Sequence, residues 1–84
     1  MLLLLDIGNT HTHLGLANDR RVTRQANIPT AAWFGNDAAV QVEAFIGRAQ
    51  PTGAALCSVV PKATPRVRQA IKRRWGLDCL ELTP

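Results

Sequence analysis

The sequence lacks most of the short signatures that betray an activity at once. Its two cysteines, Cys57 and Cys79, lie far apart with no Cys-x-x-Cys spacing. A disulfide framework or a zinc site therefore has little basis, and buried reduced thiols are expected. There is no Gly-rich loop followed by Lys and Ser/Thr, and no Gly-x-Ser-x-Gly elbow surrounds Ser58. Ser58 is read as a loop hydrogen-bonding residue rather than a nucleophile. The longest opening apolar run, Leu2 to Leu5, is far too short to cross a bilayer, and Asp6 interrupts it without the basic segment of a secretory signal ahead of it. No membrane partner and a cytoplasmic location are expected. Repeats and low-complexity tracts are missing as well.

What is present suits one small folded domain. The chain has 84 residues, 46% hydrophobic and 19% charged, enough for a single core spanning residues 1–84 without a linker. The net charge of +4 is local. Lys62, Arg66, Arg68, Lys72, Arg73 and Arg74 supply six positive charges in a stretch without acids, and the remainder is net acidic. Those charges fall mainly opposite an apolar stripe, as on a solvated helix face, so nucleic acid is not the expected partner.

Hydrophobic patterning gives the order of elements. Leu2 to Ile7 is nearly continuous and reads as a central strand buried on both faces. His13 to Ala17 and Arg21 to Ile28 read as two further strands. The intervening Asn18-Asp19 pair suits a tight hairpin with positive φ. From Asn36, the residues Val42, Phe45, Ile46 and Ala49 fall at helical spacing. Asn36 is placed as the cap, Asp37 at the positive end of the dipole, and Pro51 with Gly53 as the stop. Ala54 to Val60 is another strand. Thr64-Pro65 opens a second helix with Val67, Ala70, Ile71 and Trp75 inward and Gly76 at its end. Asp78 to Leu82 closes the chain as a strand. The predicted order, β-β-β-α-β-α-β, gives an α/β fold with a mixed five-stranded sheet and helices packed on it. Trp33 and Phe34, before the first helix, are read as covering the edge of the core.

Chemistry-bearing residues concentrate in Asp6-Ile7-Gly8-Asn9-Thr10-His11-Thr12-His13, where the first strand passes into its hairpin. Ligands collect at the carboxyl ends of central strands. A carboxylate there can hold Mg²⁺, glycine lets the backbone approach phosphate oxygens, and amides with the Asn9 and Thr10 side chains supply donors. A plain hairpin, with Asp6 and Asn9 merely satisfying turn amides, fits the same residues. His11 and His13 share a strand face, but two ligands without a third fall short of a metal site.

The string Asp6-Ile7-Gly8-Asn9-Thr10-His11-Thr12, followed by Leu14-Gly15-Leu16, resembles the first phosphate motif of type III pantothenate kinases, the family that also includes Bvg accessory factor-like proteins. Ser58-Val59-Val60-Pro61 is similar to a second element of that family, and the layout resembles a ribonuclease H-like or actin-like ATPase lobe. The resemblance implies a parent that phosphorylates pantothenate with ATP, toward coenzyme A, as a cytoplasmic homodimer needing Mg²⁺ and a monovalent cation, K⁺ or NH₄⁺. It implies that Asp6, Gly8, Asn9 and Thr10 position the triphosphate, with Asp6 toward the metal and His11 to His13 bordering it. The family's base lies in a Gly-x-Asp-Arg element, which does not occur in these residues. The chain is thus expected to be the amino-terminal lobe of a two-lobed kinase, binding ATP feebly and turning nothing over alone. Two other readings remain open: a regulatory module akin to accessory factors for virulence gene transcription, and another nucleotide-binding protein of the actin-like fold.

Overall fold

The computed structural model describes residues 1–82. Strand β1 (Leu2–Ile7) turns back into β2 (His11–Ala17), which pairs with β3 (Val22–Pro29). A single 3₁₀ turn, Thr30–Phe34, leads to helix α1 (Asp37–Ile46). Strand β4 (Gly53–Ser58), helix α2 (Thr64–Trp75) and the short β5 (Cys79–Glu81) complete the fold. The sheet order is β3-β2-β1-β4-β5, with β1, β4 and β5 parallel and β2 antiparallel to its neighbours. This is the mixed five-stranded sheet expected from the sequence, with β1 at its centre.

Both crossovers, β1 to β4 and β4 to β5, step in the same direction across the sheet. A right-handed connection places its helix on one defined side, so two steps in one direction put both helices on the same face. The core follows from this. Leu3, Leu5, Ile7, Leu14, Leu16 and Leu56 on the sheet meet Val42, Ile46, Val67 and Ile71 on the helices, all of them buried. The expectation that β1 is buried on both faces is corrected by the same geometry. Its alternate residues Leu2, Leu4 and Asp6 point to the uncovered face, where Leu2 is 47% exposed.

Several local signals act differently from their reading. The Asn18 to Arg21 turn uses no positive φ. Instead the Asn18 side-chain oxygen accepts the Arg20 and Arg21 amides, which closes the turn with ordinary backbone angles. Asn36 precedes α1 but makes no side-chain cap bond. Helix α1 stops at Gly47, whose φ of 59° ends it before Ala49, Pro51 or Gly53. In α2, Thr64 and Pro65 lie inside the first turn rather than at cap and first position. Thr64 instead donates its hydroxyl to the Val60 carbonyl at 3.3 Å. Gly76, at φ 67°, ends α2 as expected.

Candidate functional site

Parallel neighbours β1 and β4 end at the same edge of the sheet, and their ends are joined there. The Val59 amide donates to the Ile7 carbonyl at 3.1 Å, beyond the Ile7–Ser58 register pair. The two sequence motifs, fifty residues apart, thus form one rim. Ser58 folds its hydroxyl onto the following turn, where it accepts the Val60 amide at 3.0 Å and lies 3.2 Å from the Val60 carbonyl. That is the loop-shaping role read from the sequence.

Between β1 and β2 the turn is tight. The Gly8 amide donates to the His11 carbonyl at 3.0 Å, and a Cβ at Gly8 would stand 3.1 Å from that same oxygen. A side chain there would press on backbone, which is the physical reason for glycine. Asn9 and Thr10, at the tip, are exposed. Neither of their backbone N–H groups has a protein acceptor among the described residues. Asp6 is exposed too, and its carboxylate makes no ion pair or hydrogen bond among the described residues. A free carboxylate beside two free amides is a hard-oxygen and anion-binding donor set, which fits a magnesium-bound phosphate chain.

The five motif residues that lie in strands divide by alternation. Asp6, His11 and His13 lie on the open face or at the rim, while Ile7 and Thr12 are fully buried on the helix side. The Ile7 side chain packs in the core, and the Thr12 hydroxyl is engaged by Thr30 and Trp33, so neither side chain reaches the open face. Asp6 is flanked in register by His13 on one side and Cys57 on the other. A hollow of about 370 Å³ on the open face is lined by Leu4, Asp6, His13, Gly15, Ala55 and Cys57 among others.

His13 is held by its neighbours on β3. Its Nδ1 lies 2.6 Å from Asn27 Oδ1 and its Nε2 lies 2.8 Å from Gln25 Oε1. Both oxygens are acceptors, so the protonated ring donates on both sides. The contacts to Asn27 first and Gln25 second, with Asp6 adding, hold the imidazole above its ordinary value of 6.5, although partial desolvation opposes them. Cys79, by contrast, is a buried core thiol whose burial pushes its pKa up. Cys57 is only half-buried, which corrects the expectation of two buried thiols.

Sequence reasoning passed over Thr30 and read Trp33 only as cover for the edge of the core, which it is, without its bond to Thr12. Trp33 is 4% exposed, and its indole N–H donates to Thr12 Oγ1 at 3.0 Å. Thr30 reaches the turn itself, donating to the Gly8 carbonyl at 2.7 Å. The available signal was Thr12, a hydroxyl in phase with inward Leu14 and Leu16 and so in need of buried partners. Phe34 does not share in the core; it is exposed, with the Arg66 guanidinium 5.7 Å above its ring.

The basic segment is partly neutralised from outside itself. Arg68 pairs with Glu81 at 3.5 Å, Lys72 with Asp78 at 3.2 Å, and Arg74 with Glu43. Among the described residues no group of three or more His, Cys, Asp or Glu is arranged to hold a metal, and no helix is long and apolar enough to cross a membrane.

Comparison with known proteins bears on the family and the fold. The family model for type III pantothenate kinase matches residues 2–84. Among curated relatives, the type III pantothenate kinase of Acidothermus cellulolyticus is 35% identical over 83 residues, covering 93% of this chain and 32% of that protein. The one from Desulfovibrio desulfuricans is 36% identical over 84 residues, covering 93% and 31%. The chain thus spans about a third of the length of these relatives. Among solved structures, Thermus thermophilus RuvC superposes with a TM-score of 0.72 at 20% identity, covering 99% of this chain and 61% of that one. The ROK hexokinase from Thermus thermophilus gives 0.68 at 16%, covering 98% and 34%. These two likenesses show the ribonuclease H-like, actin-like fold.

Proposed function

Because the chain belongs to the type III pantothenate kinase family, we propose that it is the amino-terminal lobe, residues 1–84, of an ATP-dependent pantothenate kinase and grips the nucleotide's phosphates. The observation that carries this reading is the exposed turn at the tip of central strand β1. There the Asp6 carboxylate and the Asn9 and Thr10 amides are all unengaged by protein among the described residues.

Phosphoryl transfer asks the protein mainly for positioning and for neutralising charge. In this proposal the Asn9 and Thr10 amides and side chains hold phosphate oxygens, and Gly8 keeps the approach clear. Asp6 is the residue placed to hold Mg²⁺, which when bound offsets negative charge on the phosphate oxygens. His11 and His13 border the chain of phosphates. A base for the pantothenate hydroxyl belongs in this reading to the rest of the longer protein, since no Gly-x-Asp-Arg string occurs in these residues. The need for K⁺ or NH₄⁺, the cytoplasmic location and a homodimeric working unit are supported by family membership alone, and no side chain of this lobe is assigned to them.

The test is a titration of this chain with Mg-ATP followed by amide NMR, beside turnover measurements on the longer protein. Shifts should map to Gly8, Asn9, Thr10 and His11, with affinity weak for lack of the second lobe. In the longer protein Asp6→Asn should lower pantothenate-dependent ADP formation roughly a hundredfold. Shifts confined to the separate hollow between α1 and α2, lined by Arg66 and Arg73, would defeat the proposal.

A further inference from the structure

We propose that Trp33, Thr12 and Thr30 are positioning residues for the phosphate turn, linked as a one-way relay of hydrogen bonds that ends on the Gly8 carbonyl. The proposal rests on the phosphate-binding reading above and adds to it Thr30 and Trp33, with a side-chain role for Thr12 that needs no ligand contact.

The direction of the relay is forced by the chemistry of its ends. A carbonyl oxygen can only accept, so the 2.7 Å bond from Thr30 Oγ1 to Gly8 O uses the single Thr30 hydroxyl proton. Thr30 must then accept in its 3.0 Å contact with Thr12 Oγ1, and Thr12 donates. With its own proton spent, Thr12 accepts from Trp33, whose indole N–H can only donate, at 3.0 Å. Every proton on the path has one place to go. The three side chains are buried, at 4%, 0% and 2% exposure for Trp33, Thr12 and Thr30, so the two inner bonds are shielded from water, while the last, to the Gly8 carbonyl, is part-buried.

Thr30 also holds the turn by its backbone, whose amide donates to the Thr10 carbonyl at 2.9 Å. The carbonyls on either side of Asn9 are therefore anchored to one residue. The Gly8–Asn9 peptide is trans, so its N–H points opposite to its C=O. Tying that carbonyl inward to Thr30 aims the Asn9 N–H outward, toward the anion. A bond accepted at a peptide carbonyl also polarises the same peptide's N–H, which makes it a better donor. The relay thus sets both the direction and the strength of one of the two free amides.

The experiment compares four variants of this chain with the parent sequence by amide NMR titration with Mg-ATP and by thermal melting. Thr30→Val keeps the shape but removes both side-chain bonds, and should weaken Mg-ATP binding about tenfold with faster hydrogen exchange at Gly8. Trp33→Phe removes only the starting N–H and should weaken binding several-fold. Thr30→Ser keeps the hydroxyl and should restore affinity although it loses a buried methyl group. Val67→Ala, in α2 and remote from the turn, should lower the Tm with Mg-ATP affinity unchanged. Affinity that simply follows Tm across the four variants, or Thr30→Val binding like the parent, overturns the relay. If the parent's own shifts miss residues 8–11, the phosphate reading fails first and the relay's role goes with it, an outcome visible before any variant is made.

Discussion

At the scale of single residues, His13 carries a consequence that can be measured directly. Its ring sits between two amide oxygens, and only the protonated form donates to both. The neutral ring must give up one contact or wait for an amide to turn over. Since the folded state holds the proton more tightly, its contribution to stability is fully present below the ordinary histidine value. It fades as pH rises through the raised folded value. An NMR titration of this chain should therefore find the His13 ring titrating above 6.5. Asn27→Ala should bring it down further than Gln25→Ala does. A ring that titrates at its ordinary value would mean the two contacts do not persist in solution. Cys79 offers a second check, because burial keeps its thiol protonated; it should react with iodoacetamide far more slowly than half-buried Cys57 until the chain is unfolded.

At the scale of elements, helix ends depend on backbone freedom more than on side-chain caps. Neither helix has a side-chain cap bond, yet both stop at glycines of positive φ. Gly76→Ala should cost about 1 kcal/mol, read as a lower denaturation midpoint, since nothing crowds the added methyl and the strain is purely conformational. The strands and helices were legible because their apolar spacing is a property of each segment alone. Val42 and Ile46, or Val67 and Ile71, declare an inward stripe without any knowledge of the rest. What was not legible depended on contacts distant in sequence. The Thr30–Phe34 turn has no periodic pattern, and its purpose lies in reaching back to Thr12 and Gly8. The site motif could be found as a string, but its division into an outward Asp6 and inward Ile7 and Thr12 needed the side on which the helices pack.

At the scale of the whole molecule, the lobe is compact in itself: its radius of gyration is 11.5 Å, against about 12 Å for a folded chain of this length. Only one face of its sheet is covered, however. Leu2, Val22, Leu80 and Leu82 are 43–66% exposed, and Leu4 and Ala55 lie among them in register. Surfaces of this kind associate. The chain should self-associate with rising concentration in sedimentation experiments, and Leu80→Lys should reduce that tendency. A mass independent of concentration in the millimolar range would count against it. The pairing of β1 with β4 has one more effect, on the order in which the lobe can be built. Leu2 finds its parallel partner Gly53 only roughly fifty residues later. A polypeptide leaving the ribosome must therefore wait with β1, β2 and β3 alone, the free edge of β1 bare, until β4 has emerged. The turn after β1 is made before α1 and β4, yet it gains its β4 neighbour only once those elements have followed.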